Sequence, residues 1–142
     1  MTTTVRQMLA GKAGVYAVSP DDTIFDALRL MADKNVGAVL VMSGDAIAGI
    51  VSERDYARKV VLLGKTSKTT PVREIMTTDV ISVEPGWTAD HCMALMTDRR
   101  IRHLPVVENG ALVGIISIGD VVRAVVESQQ FVIKSLENYI MS

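Results

Sequence analysis

The apolar and polar positions of this chain predict a strand, a helix, a hairpin and a second helix in its first half. Val15–Val18 is an apolar stretch of strand length closed by turn-forming residues. Thr23 or Asp22 is placed to cap a helix that ends near Asn35, and one face of that helix is apolar at Ile24, Ala27, Leu28 and Met31. The apolar runs 36–42 and 46–51 predict two buried strands, and a helix is expected from Ser52 to about Leu63.

The second half follows the same order. Residues 80–83 predict a strand, and Thr88 caps a helix whose apolar face carries Ala89, Cys92, Met93 and Met96. Strands are predicted at 101–107 and 111–116 around an Asn-Gly turn, and Pro105 indicates an edge or a bulge. We expect a helix from Ser117 to about Val126 and a separate helix over 129–140.

The two halves have the same order of predicted elements because the sequence contains an internal repeat. The stretch Gly49-Ile50-Val51-Ser52-Glu53-Arg54-Asp55 returns 65 positions later as Gly114-Ile115-Ile116-Ser117-Ile118-Gly119-Asp120. The segments before the two repeats, 5–9 and 72–76, match at an offset of 67, because the loop 11–14 holds two extra residues.

We therefore predict an α/β (α+β) fold of two β-α-β-β-α repeats, related by a pseudo-twofold axis and packed sheet to sheet, since neither half alone would bury much surface. The predicted segments are an N-terminal arm and loop at 1–14, repeats at 15–64 and 80–126, a linker with its lead-in helix at 65–79, and a C-terminal helix at 127–142.

Composition narrows the class of protein. The 142 residues are 49% apolar and carry a net charge of -1, which argues against binding dominated by nucleic-acid phosphates. The single Cys92 favours a reducing compartment, and no signal peptide or membrane-length apolar run is visible. From these features we expect a cytoplasmic protein that does not bind a membrane.

Each Ser-x-x-Asp has two readings. As a capping box, the serine oxygen accepts from the amide three residues on, and the aspartate bonds back to the serine amide. As a functional group, a helix start at a strand end suits phosphate, and a carboxylate suits the hydroxyls of a ribose. The sequence leaves both readings open.

Taken together, the motifs resemble a pair of CBS domains, the tandem named after cystathionine β-synthase and also called a Bateman module. The resemblance rests on the two Ser-x-x-Asp ends, on Arg102-His103-Leu104-Pro105-Val106-Val107 and on the lead-in 72–77, and it covers about residues 5–126. It implies a regulatory module that binds an adenosine-containing ligand (AMP first, otherwise ADP, ATP, NAD(H) or S-adenosylmethionine). It also implies a homodimer that regulates a protein partner.

The resemblance also implies the binding residues. One site would use Ser52, Arg54 and Asp55 with Ile81, Arg102, His103 and Pro105, and the other would use Ser117, Asp120 and Gly114 with Tyr16 and Ala38. Arg54 and Arg58 stand near the first site, where the second has Ile118 and Gly119. We therefore expect the Asp55 site to hold a phosphate-bearing ligand more tightly.

The remaining residues predict neither a catalytic site nor a metal site. The two histidines and Cys92 have no converging spacing, and no serine, histidine and acid suggest a triad. We expect a regulatory protein with no catalytic cofactor that is not an enzyme. The alternative is a dimerisation scaffold in which both Ser-x-x-Asp motifs are only helix caps.

Overall fold

The computed structural model describes residues 2–12 and 14–141; Met1, Ala13 and Ser142, which belong to the predicted arm, loop and C-terminal helix, lie outside the described residues. The chain folds into two compact units. One is the segment Val15–Val80, and the other combines the N-terminal arm with the chain from Ile81 onward.

The first unit is a three-stranded sheet packed against a helix. Its elements are β1 (Ala17–Val18), α2 (Ile24–Lys34), β2 (Ala38–Ser43), β3 (Ala46–Ser52) and the short α3 (Glu53–Asp55). The strand β1 pairs parallel to β2, and β2 pairs antiparallel to β3. Thr23 caps α2 and Asn35 ends it in the left-handed conformation, which confirms both predicted helix ends.

The helix predicted from Ser52 to Leu63 forms with a different winding. After α3 the chain continues as a π-helical turn, Tyr56–Val61, followed by irregular turns. Val60 is fully buried in this turn, while Leu62 and Leu63 are exposed. The wider winding still places one apolar residue of this segment in the core.

The second unit repeats the hairpin but not the first strand. It contains α4 (Ala89–Arg99), β4 (His103–Glu108), β5 (Ala111–Ser117) and α5 (Ile118–Met141), after α1 (Val5–Leu9) of the N-terminal arm. The predicted strand 80–83 is wrong as a regular element: within the described residues it is reduced to one bridge between Val83 and Val106. A register shift between Val106 and Val107 lies next to Pro105, where the sequence predicts an edge or a bulge, but the first hairpin has the same shift between Val41 and Met42 without a proline.

The two predicted C-terminal helices are one. The helix α5 runs without interruption from Ile118 to Met141, where the sequence analysis ended one helix at Val126 and began another at 129. No glycine or proline stands between those positions, and serine and glutamine are tolerated within a helix. The predicted break had no residue to cause it.

Each repeat is completed by the segment that precedes the other repeat. In the second unit, the amide of Val5 donates to the carbonyl of Trp87 and the amide of Ala89 donates to Thr3, both at 2.8 Å. In the first unit, the amide of Val72 donates to Asp22 at 2.7 Å and the amide of Ile24 donates to Thr70 at 2.9 Å. These bonds are equivalent at the repeat offsets, so the duplication extends to its backbone contacts.

Two apolar cores support this arrangement. The least accessible residues of the first core are Ile24, Ala27, Val39, Val41, Val51, Val60 and Val72. The second contains Val5 from the arm together with Cys92, Met96, Leu104, Val106, Ile116 and Val121. Cys92 is fully buried, as its place on the apolar stripe predicts, and burial raises its pKa to about 11.

Two glycines at equivalent positions of the repeats, Gly49 and Gly114, let the lead-in segments approach the strands closely. A Cβ on Gly49 would lie 2.7 Å from the carbonyl oxygen of Thr77, and one on Gly114 would lie 2.6 Å from a methyl group of Leu9. The first obstacle is backbone, whereas the second is the end of a flexible side chain. The second repeat can therefore accommodate an added methyl group at its glycine more easily than the first.

We predict that Gly49→Ala lowers the free energy of unfolding by about 1–3 kcal/mol, as overpacking usually does, and that Gly114→Ala costs less than about 1 kcal/mol. Chemical denaturation measures both. Gly86→Ala is the control, because nothing lies near the position of its added Cβ. Equal costs at Gly49 and Gly114 would contradict the assignment of the backbone as the harder obstacle.

Candidate functional site

Both Ser-x-x-Asp motifs stand where a strand ends and a helix begins. Ser52 is the last residue of β3 and the N-cap of α3. Ser117 is the last residue of β5 and directly precedes α5. Both aspartates are half-buried, with side chains 18% and 17% exposed at Asp55 and Asp120. Carboxylates at this depth must be paired or hydrogen-bonded to remain charged.

The capping box is complete in the first motif. The Ser52 amide donates to Oδ2 of Asp55 at 2.9 Å, and the Asp55 amide donates to the Ser52 oxygen at 3.2 Å. The Ser52 hydroxyl donates to the same Oδ2 at 3.1 Å. Oδ1 takes no part in the cap and lies 3.3 Å from Nζ of Lys59, one helical turn away. One carboxylate oxygen therefore serves the fold, while the other faces a partly exposed cation.

The second motif has the same cap. The Ser117 amide donates to Oδ2 of Asp120 at 2.8 Å, and the Asp120 amide donates to the Ser117 oxygen at 3.2 Å. Its Oδ1 lies 3.8 Å from a guanidinium nitrogen of Arg123. The cap reading is thus correct in both repeats. Because the cap occupies only one oxygen, it does not exclude a second partner for the carboxylate.

A further pair of equivalent bonds fixes the start of each helix. The Glu53 amide donates to the carbonyl of Gly37 at 3.1 Å, and the Ile118 amide donates to Arg102 at 2.8 Å. The residue before each hairpin thereby consumes the first free amide of the following helix. The third amide is consumed by the serine, so few helix-start amides are left for a phosphate.

Lys12 distinguishes the two motifs, and the sequence analysis missed it. Its ammonium group donates to Oδ2 of Asp120 at 2.5 Å, and its side chain is 31% exposed. Lys12 belongs to the loop that holds the two extra residues of the first lead-in. Only the unequal repeat offsets could have pointed to this loop, and they do not say where the lysine lies.

The electrostatics of Asp120 follow from these contacts. Burial alone would raise the pKa of its carboxyl group. The hydrogen bonds from Lys12 and from the Ser117 amide outweigh burial, and the pKa is lowered below its ordinary value. Asp120 is therefore a stabilised carboxylate at neutral pH.

The other predicted site residues fall into the two units as follows. In the first unit, half-buried Tyr16 precedes β1, buried Ala38 begins β2 opposite Ser52, and Arg54 is exposed on α3. In the second unit, His103 opposes Ser117, buried Pro105 opposes Ile115, and Gly114 opposes Val106. Ile81 is half-buried against the second core, and Arg102 is exposed before β4.

The structure thus gathers each motif with its own hairpin partners: Ala38 with Ser52 and Asp55, and Arg102 and His103 with Ser117 and Asp120. The face of Gly114 where a Cβ would stand is covered by Leu9. The roles expected for Ile81, Arg102, His103 and Pro105 beside Asp55, and for Tyr16 and Ala38 beside Asp120, stay predictions.

A cleft of about 350 Å³ lies within the first unit, and its walls include the end of α2, Gly37 and Glu53. Ser52 and Asp55 are not among its lining residues. Glu53 is the residue between Ser52 and the exposed Arg54, so the cleft adjoins the first motif without containing the predicted carboxylate.

The family model of the CBS domain matches residues 11–62 and 72–127. The chain therefore belongs to the CBS-domain family, with one copy in each half of the internal repeat. Members of this family that consist of CBS domains are regulatory and signal-transduction modules and are typically not catalytic.

Relatives in sequence and structure agree with this assignment. The chain is 46% identical over 84% of its length to the mitochondrial CBS domain-containing protein CBSX3 of Arabidopsis thaliana, and it spans only 61% of that protein. It is 38% identical to the CBS domain-containing protein YhcV of Bacillus subtilis, with 75% of each chain covered.

Among solved structures, a CBS-domain protein from Burkholderia ambifaria MC40-6 is 55% identical, with a TM-score of 0.85 over 89% of this chain and 96% of that chain. The hexameric CBS-CP12 protein of bloom-forming cyanobacteria is 30% identical, with a TM-score of 0.77 over 86% of this chain and 71% of that chain. Within the described part of this chain, no helix has both the length and the apolar character needed to span a membrane.

We predict that Lys12→Met raises the pKa of Asp120, because it removes the main cation that holds the carboxylate charged. A carboxyl group whose pKa is lowered by folding stabilises the native state above its unfolded pKa, about 3.9, and that contribution is lost as pH falls through the native pKa. Lys12→Met should therefore destabilise the protein at pH 7 and have little effect near pH 2.

Carboxyl-detected NMR titration of Asp120, together with denaturation at both pH values, measures these effects. Lys134→Met is the control, since Lys134 is exposed on α5 and has the same charge. An unchanged Asp120 titration in Lys12→Met would show that the ion pair does not form in solution.

Proposed function

We propose that this protein is a regulatory module that binds an adenosine-containing nucleotide, AMP first among the candidates, through its two Ser-x-x-Asp motifs. The observation that carries the proposal is the geometry of the two aspartates. Each is held by its own cap through Oδ2, so that Oδ1 stands at the strand end without a place in the cap. A fixed carboxylate oxygen is a suitable acceptor for a ribose hydroxyl.

Charge supports an unequal pair of sites. At Asp55 the nearest cation is Lys59 on the following turn, and Arg54 and Arg58 are exposed close by. At Asp120 the arm residue Lys12 already binds the carboxylate. Lys12 neutralises part of the charge of the Asp120 carboxylate, which makes this carboxylate a weaker acceptor for a ligand hydroxyl. Arg123 is the equivalent of Arg58, but the second motif has Gly119 where the first has Arg54, so a ligand at Asp55 gains one more nearby cation. Both effects favour tighter binding of a phosphate-bearing ligand at Asp55.

Regulation then follows from linkage. A nucleotide shifts the population toward the conformation or assembly that binds it more tightly, by an amount equal to the difference in binding free energy. We propose that the responding assembly is a homodimer and that the output passes to a protein partner. The hexameric state of the cyanobacterial relative supports self-assembly as a property of such modules.

The alternative function is a scaffold that binds no nucleotide. The completed caps favour it, because both motifs already have a structural role. Small molecules released from the purified protein and a melting panel with AMP, ADP, ATP, NAD, NADH and S-adenosylmethionine separate the two functions. A ligand present at 100 times its dissociation constant should add about 2.7 kcal/mol of stability. If none of these compounds binds at millimolar concentration while self-assembly is intact, the scaffold function is correct.

We predict that Asp55→Ala weakens nucleotide binding at least about tenfold, the loss expected for a hydrogen bond to a charged group. Asp120→Ala should have a smaller effect, and Lys12→Met should strengthen binding at the second site. Calorimetric titration measures all three. Equal losses at the two aspartates would contradict the proposed asymmetry.

The control for this experiment is Asp26→Ala. Asp26 completes the same capping box at Thr23, with the Thr23 amide donating to its Oδ2 at 3.2 Å. Its loss removes a cap of equal kind, worth about 1 kcal/mol, outside the proposed sites. Nucleotide affinity that falls as much in Asp26→Ala as in Asp55→Ala would show that the aspartates act through stability alone.

A further inference from the structure

The helix α5 carries an apolar stripe that its own unit does not cover. Its first turns pack through Val121 and Ala124, which are buried, and through half-buried Val125 and Ser128. The oxygen of Ser128 lies 3.3 Å from that of Thr3, the last polar contact of the helix with the arm. Every described residue from Gln129 to Met141 is exposed. About half of a 24-residue helix therefore extends past the core that holds it.

The exposed residues repeat with the period of a coiled coil. Steps of four and three residues alternate along one line of the helix, at Val122, Val126, Gln129, Ile133, Leu136 and Ile140. This is the alternation of the a and d positions of a heptad, with Val126, Ile133 and Ile140 at a. The apolar members are 42–78% exposed, and the buried residues Val121 and Ala124, which pack on the unit, lie off the stripe.

The heptad spacing indicates what kind of structure can cover the apolar stripe. Side chains at a and d interlock only with the same spacing on another helix, so a coiled-coil helix is required. A second copy of α5 meets this requirement with no other chain involved.

Charge complementarity sets the direction of the pair. The e positions that flank the stripe include Arg123 near the start of the helix and Glu137 near its end. When two copies run antiparallel about a twofold axis near Phe131, the a and d positions meet as Val126 with Leu136 and Ile133 with Gln129. Arg123 of each copy then lies beside Glu137 of the other. In a parallel pair, Glu137 would instead flank Val132 and would have no opposite charge beside it.

We propose that α5 pairs with α5 of a second copy as an antiparallel two-stranded coiled coil through this stripe. The pairing covers the apolar residues near the unit and those at the free end of the helix in one interface. Gln129 is the polar member of the stripe, and because it faces Ile133 of the other copy its burial lowers the stability of the pair. The pairing does not depend on nucleotide binding.

Sedimentation equilibrium of the whole chain tests the interface. Ile133→Ser and Leu136→Ser should each raise the dimer dissociation constant at least about tenfold, which corresponds to 1.4 kcal/mol. Phe131→Ser is the matched control: Phe131 is 53% exposed and Ile133 is 55% exposed, but Phe131 lies off the stripe. Gln129→Leu should tighten the dimer, a gain that no loss of folding can imitate.

Disulfide formation tests the direction. A mixture of Val126→Cys and Leu136→Cys chains should give mixed disulfides, and each chain alone should give few, because these positions meet only across an antiparallel pair. The natural Cys92 does not interfere, since it is fully buried. Cross-linking of the Val126→Cys chain with itself in preference to the mixture would overturn the antiparallel arrangement.

Other outcomes would overturn the interface itself. These are a monomeric wild-type protein, equal effects of Ile133→Ser and Phe131→Ser, or a dimer dissolved by Leu62→Ser and unaffected by Ile133→Ser. Leu62 is the comparison because it is 76% exposed and belongs to the other unit. Nucleotide binding by the stripe variants is measured separately, so failure of this interface is distinguishable from failure of the proposed function.

Discussion

The fold depends on the backbone hydrogen bonds that join each lead-in segment to the start of the first helix in the other repeat. The arm around Val5 binds the second repeat, and the linker around Val72 binds the first. Both valines are fully buried, so each lead-in contributes apolar surface as well as hydrogen bonds. A repeat without its lead-in would leave polar groups at its helix start unpaired and part of its core open to water.

This constraint explains why the two motifs differ although their caps are the same. The first lead-in is longer by two residues, and its loop brings Lys12 to Asp120. The second lead-in has no such loop and pairs with β3, where Thr77 and Ile50 exchange backbone hydrogen bonds at 2.9 and 3.0 Å. A small difference in loop length has thus changed the charge around one carboxylate. The proposed difference between the nucleotide sites has its origin there.

Sequence patterns predicted those features that local chemistry determines. The caps at Thr23 and Thr88, the left-handed Asn35 and the hairpin turn at Asn109-Gly110 all follow from side-chain preference, and all form. Arg100 takes the same left-handed conformation as Asn35, which residue type alone would not indicate. The contact of Lys12 with Asp120 joins residues 108 positions apart, and no periodicity encodes such a pair. The resemblance to the family identified the motif residues, but it could not reveal a cation contributed by the loop of this particular chain.

The exchanged lead-ins also affect the order in which the protein can be made. Synthesis proceeds from the N-terminus, and domains generally fold as units while the chain emerges. The unit Val15–Val80 is complete once its own segment has been synthesised. The arm around Val5 is made earlier, but its hydrogen-bond partner Trp87 is made later. The arm therefore leaves the ribosome before its hydrogen-bond partner has been made, and the apolar side chain of Val5 stays exposed to water until then.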